Sequence, residues 1–165
     1  MKTKVGYYGI FLTLALILSY VESLLPIQIG IPGVKLGLAN LVCVVALYKM
    51  RGKEVVILAI IRVLLAGFIF GNYFSIIYGL AGAILSVFVM IGLKKTEKFS
   101  VPGVSIAGGV SHNMGQLIVA VFVVQTYSVG YYFPVLLVAG LVTGLLIGIC
   151  ANEILKRITH INMKN

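Results

Sequence analysis

With 165 residues, 61% of them hydrophobic, only 10% charged and a mean hydropathy of +1.13, the chain is far more apolar than soluble domains, where about 25% of residues are charged. The net charge of +9 does not make it a nucleic-acid binder, because the basic residues sit mostly at the ends of apolar runs, where they set membrane topology. All four acidic residues are glutamate (Glu22, Glu54, Glu97 and Glu153), which excludes chemistry built on aspartate clusters.

In chain order, apolar segments run over Val5 to Leu25, Val34 to Tyr48, Glu54 to Phe70, Tyr73 to Leu93, Val104 to Gln125 and Tyr131 to Leu155. The first is too long for the ~7–15-residue apolar region of a signal peptide and ends at Leu25-Pro26 without a small-residue cleavage site, so it reads as a retained helix. Breaks fall at Pro26 and Pro32-Gly33, Arg51-Gly52, Gly71-Asn72, Lys94 to Gly103 and Tyr127 to Gly130. The pattern predicts an all-α integral membrane protein: one domain, residues 1–165, folded as a compact bundle of six transmembrane helices.

Sorting charges by loop supports that count. Lys2 and Lys4, Lys49 to Lys53, Lys94 to Lys98, and Lys156, Arg157 and Lys164 fall on one side, with Lys35 alone on the other. Both termini are therefore expected in the cytoplasm of a prokaryotic cell, the protein being multi-pass in the cytoplasmic membrane. Cys43 and Cys150 lie in separate apolar runs without CxxC spacing and read as small buried hydrophobes.

Two stretches carry polar groups at membrane depth. Ser105 to Leu117, SIAGGVSHNMGQL, places His112, Asn113 and Gln116 on adjacent positions of one helix, thinned by Gly108, Gly109 and Gly115. Ile31 to Asn40, IPGVKLGLAN, puts Lys35 in the first turn of the second helix, where free N–H groups and the dipole favour an anion, with Asn40 deeper in. Arg62 lies roughly 13 Å above Lys53 at the ~1.5 Å rise per residue of a helix. A charge near the bilayer centre costs at least ~2.5 kcal/mol on insertion scales, so Arg62 must face the interior, either tying helices together or meeting a ligand.

Lys35, Asn40, Arg62, His112, Asn113 and Gln116 thus form the candidate ligand-binding set for a small polar or anionic molecule. The loop with Pro26, Gln28, Pro32 and Gly33 is the candidate gate. Small residues four apart, as in Gly140/Gly144/Gly148, mark helix packing, and Ala15/Ser19 on the first helix could instead present that face to a partner. The two histidines, His112 and His160, are too far apart in the sequence plan to share a metal, so neither a metal nor another cofactor is expected.

The motifs PGVKLGLAN (32–40), GLAGAILSVFVM (79–90) and SIAGGVSHNMGQL (105–117) resemble the family filed both as heptaprenyl diphosphate synthase component I and as Gx transporter. The size and six-helix plan are also similar to the S components of energy-coupling factor (ECF) vitamin transporters. The second resemblance implies a substrate-binding subunit working with a coupling subunit and ATPases, docked through Ala15 and Ser19, the latter replacing the usual alanine. The first implies a membrane accessory of a prenyl synthase, or of a quinone or redox pathway. The chain has no aspartate for an Mg²⁺-diphosphate site and no GxxxxGK[ST] loop, so neither prenyl transfer nor ATP hydrolysis is expected of this polypeptide itself.

Overall fold

A computed structural model describes residues 2–24, 36–125 and 127–158. These form six α-helices: α1 (Lys2–Leu24), α2 (Leu38–Lys49), α3 (Gly52–Phe70), α4 (Tyr73–Lys95), α5 (Val101–Val124) and α6 (Phe133–Arg157), with a 3₁₀ segment, Tyr127–Tyr132, before α6. Four stretches are long and apolar enough to cross a membrane: Val5–Leu24, Tyr73–Lys95, Val101–Val124 and Gly130–Arg157. The chain is therefore a multi-pass membrane protein by helix length and composition. Helices α2 and α3 are not among these four. The 12 residues of α2 span only ~18 Å against the ~30 Å of a bilayer core.

Two boundaries differ from the sequence reading for local reasons. Helix α2 starts at Leu38 rather than Val34, because Gly37 before it adopts φ +75°, a left-handed conformation no helix continues through. The carbonyl of Gly37 then accepts the N–H groups of Asn40 (2.8 Å) and Leu41 (3.3 Å). Replacing Gly37 by alanine should cost about 1 kcal/mol, read as a lowered thermal midpoint of the purified protein. Helix α5 starts at Val101 rather than Val104, because Pro102 falls in the first turn, where its missing N–H is not needed. The Ser100 hydroxyl oxygen accepts the Gly103 N–H there at 3.4 Å. The predicted break at Asn72 holds: its side-chain oxygen accepts the Ser75 N–H, and Ser75 Oγ accepts the Asn72 N–H, both at 2.9 Å.

The helices alternate in direction, and the cross-links show it. Lys49 at the end of α2 donates to the Ile158 carbonyl after α6 at 2.8 Å. Lys94 at the end of α4 donates to the Leu47 carbonyl and lies 4.9 Å over the Tyr48 ring. Gly52 at the start of α3 packs on Ile91 near the end of α4. One end of the bundle therefore gathers the starts of α1, α3 and α5 and the ends of α2, α4 and α6, and with them the lysines. At the other end Tyr20 stacks near Phe70, centroids 5.1 Å apart, and Tyr73, Phe74, Tyr131 and Tyr132 are exposed, as in an interfacial aromatic belt.

The packing follows a ring in which α1 meets α2 and α3, α3 meets α4, α4 meets α5, α5 meets α6, and α6 returns to α2. Helix α2 sits innermost, with Val42 to Leu47 all buried. The apolar core lies in the basic half, built by Phe11 and Ala15, α2, Val55, Leu58, Ala59, Val63, Val87, Met90, Val104, Ile147 and Ala151. Lipid is as apolar as these side chains, so close packing rather than water exclusion holds the helices together. Glycines provide that closeness around α5. A Cβ on Gly115 would lie 2.7 Å from the Ala81 carbonyl oxygen of α4, and one on Gly144 would lie 2.7 Å from Ile106 Cα of α5.

Candidate functional site

Two stripes on α5 define its surroundings. Gly108 and Gly115 press on α4, at Met90 and Ala81 respectively. Pro102, Ser105 and Gly109 press on α6 at Gly148, Gly144 and Gly140. Met114, Ile118 and Phe122 are exposed, as expected of the lipid side. At 100° per residue, His112 falls between the two packed stripes and Gln116 beside it, in the inner part of the α6 stripe between Ser105 and Gly109, both toward the interior of the bundle. Both are half-buried. The His112 ring lies against Gly82 of α4, whose added Cβ would meet ring atoms at 3.0 Å and the His112 carbonyl oxygen at 2.8 Å.

Asn113 has a different role. Its amide donates to the Leu136 carbonyl of α6 at 2.7 Å, which makes it a tie between helices and turns it away from its sequence neighbour His112. The α5 triplet predicted as one polar face is thus divided, with His112 and Gln116 on the interior sector and Asn113 in the α5–α6 seam. Replacing Asn113 by leucine should lower stability by about 1–2 kcal/mol, measured as a thermal midpoint, since it leaves that carbonyl with its helical bond only.

Arg62 is on the inward stripe of α3, one or two turns from the buried residues Val55, Leu58 and Ala59 and next to the buried Val63. It is half-buried, and its Nε is fully buried with no hydrogen-bond partner among the described residues. Cys43 of α2 is buried. By residue count Arg62 stands ~15 Å above the start of α3 and His112 ~16 Å above that of α5, so the two lie at similar depth. Asn40, half-buried in the first turn of α2, is ~14 Å above Lys49, at the same level. These three residues, on α2, α3 and α5, share one depth just beyond the apolar core, and Gln116 lies one turn further out on α5.

Lys35 and the gate residues Pro26, Gln28, Pro32 and Gly33 lie outside the described residues. Of the Ala15/Ser19 pair, Ala15 is fully buried in the core, while Ser19 is half-buried and its hydroxyl donates to the Ala15 carbonyl of its own helix at 2.8 Å. Helix α1 instead exposes Ile10, Leu14, Ile17, Val21 and Leu24. No group of three or more metal-ligating side chains occurs among the described residues.

One acid was not assigned a role from the sequence. Glu22, in the last turn of α1 and half-buried, accepts the Gly37 N–H at 2.6 Å on Oε1. It thereby places a negative charge at the N-terminus of α2, where the helix dipole favours one. A single carboxylate near the end of an apolar helix was the available signal. Two buried hydroxyls, Ser86 on α4 and Ser105 on α5, also lack partners among the described residues.

A family model described as heptaprenyl diphosphate synthase component I matches residues 11–154. No curated protein and no solved structure matches the chain. The likeness to ECF S components consequently rests on the sequence pattern and not on a structural match.

Proposed function

From the premise that the chain belongs to the heptaprenyl diphosphate synthase component I family, we propose that it is a substrate-binding membrane subunit taking a small polar or anionic ligand. It is a component and not itself the catalyst. In the proposed site Arg62 neutralises negative charge, while Asn40, His112 and Gln116 supply directional hydrogen bonds. Lys35 and the loop bearing Pro26, Gln28, Pro32 and Gly33 guard the mouth from the outer face of the cell membrane, with both termini in the cytoplasm. Transport of the ligand would require an ECF-like coupling subunit and ATPases. The observation that carries this reading is the unpartnered, fully buried Nε of Arg62 on an inward stripe. An intramembrane ionisable residue facing a bundle interior marks a substrate path more often than it merely packs.

A second reading has its own support: the family description implies a partner synthase component, and Lys53, Lys95, Lys98 and Arg157 are exposed at one end. In that reading the chain is an accessory that holds a prenyl synthase or redox partner at the membrane. Complementation of cells lacking the gene separates the two. If the first reading holds, an Arg62 variant fails to complement while a Lys53/Lys95/Lys98 triple glutamine variant succeeds. The reverse pattern would establish the accessory role.

A further inference from the structure

Among the described residues of the half opposite the lysines, the charged side chains are Glu22 and Arg62. They are opposite in sign, both half-buried, and not ion-paired with each other. Glu22 is held at the N-terminal end of α2 by its hydrogen bond to Gly37, and Arg62 sits on the inward stripe of α3 with its Nε buried. Their relative height follows from the Tyr20–Phe70 ring contact, which levels the far ends of α1 and α3. Glu22 is two residues beyond Tyr20 and Arg62 eight before Phe70, so the Glu22 backbone lies ~15 Å further along the bundle than the Arg62 backbone. An extended arginine side chain covers about half of that offset, and the rest is the length a ligand would span. Opposite charges held apart in a low-dielectric setting attract strongly whatever neutralises both. Gly37 uses only Oε1 of the carboxylate.

We propose that Glu22 is the second pole of the ligand site, and that the site takes a small amphoteric molecule whose anionic group meets Arg62 and whose ammonium meets Oε2 of Glu22. This rests on the reading of Arg62 as a ligand anchor and narrows it to a substrate class. Glu22 then has two roles. It fixes the first turn of α2, which carries Asn40, and it rejects ligands that are anionic throughout.

The glutamine variant separates those roles, because E22Q keeps an oxygen for the Gly37 N–H while losing the charge. The probes are the linear ω-amino acids from glycine to 6-aminohexanoate, each beside the carboxylate and the amine of equal length. The readout is the thermal midpoint of the detergent-solubilised protein. At least one amino acid is expected to raise the wild-type midpoint where its two singly charged counterparts do not. E22Q should match the wild type without probe and bind that amino acid at least tenfold more weakly, and E22A should melt lower even without probe. The amphoteric class is overturned if a plain carboxylate shifts the wild type as much as the amino acid does, if E22Q responds like the wild type, or if no probe shifts the wild type. Arg62→Met tells the two failures apart: loss of a carboxylate-only response leaves the Arg62 anchor standing, whereas an R62M response equal to wild type removes both.

Discussion

Replacing Gly144 by alanine should destabilise the bundle by about 2–3 kcal/mol, at the upper end of the overpacking range, and replacement by leucine should prevent recovery of folded protein. The reason is what the new Cβ meets. Ile106 Cα at 2.7 Å and the Ser105 carbonyl oxygen at 2.9 Å are backbone atoms of α5, so no side chain can rotate aside and α6 itself must withdraw. The displacement would travel, because α5 is held on its other flank by Gly115 against Ala81. The same substitution at Gly92 of α4, where nothing lies within 4 Å of the added carbon, should be neutral or stabilise by up to ~1 kcal/mol through better helix propensity. Thermal melting of the two alanine variants in one detergent checks the contrast. Equal effects would show that α5 and α6 are not in backbone contact.

Arg62→Met should separate stability from function. A guanidinium whose buried Nε has no partner carries desolvation cost without full compensation, so an apolar chain of similar length should leave the thermal midpoint unchanged or raise it, while ligand binding is lost. If Arg62 instead ties helices together, the same change should cost about 3–5 kcal/mol, because it would strip a buried charge network of its centre. Measuring the midpoint and the complementation of one variant therefore discriminates glue from anchor.

The gathering of the lysine-bearing helix ends at one end of the bundle was legible because charge sorting is a global property: a miscounted helix would have mixed the lysines. The Gly140/Gly144/Gly148 stripe was legible for a similar reason, since small residues four apart serve few purposes other than close helix contact. What escaped was information that one helix alone does not hold. Asn113 and His112 are neighbours in sequence, yet one donates to Leu136 of α6 and the other lies on Gly82 of α4, and only the positions of the flanking helices divide them. Ala15 and Ser19 present a small face that suits a partner or the chain's own core equally well, and here the core takes Ala15. The late start of α2 depended on one left-handed glycine, in a stretch where Pro32-Gly33 offered a stronger break. Glu22 made sense only once its partner fifteen residues away was in view.

In the proposed function the interior polar set around Arg62 holds a small molecule. Native mass spectrometry of the gently solubilised wild type and R62M tests it most directly. The wild type should release a small polar mass on collisional activation, and R62M, folded and equally stable, should not. A wild type that carries no such mass, or an R62M that retains it, would contradict the claim.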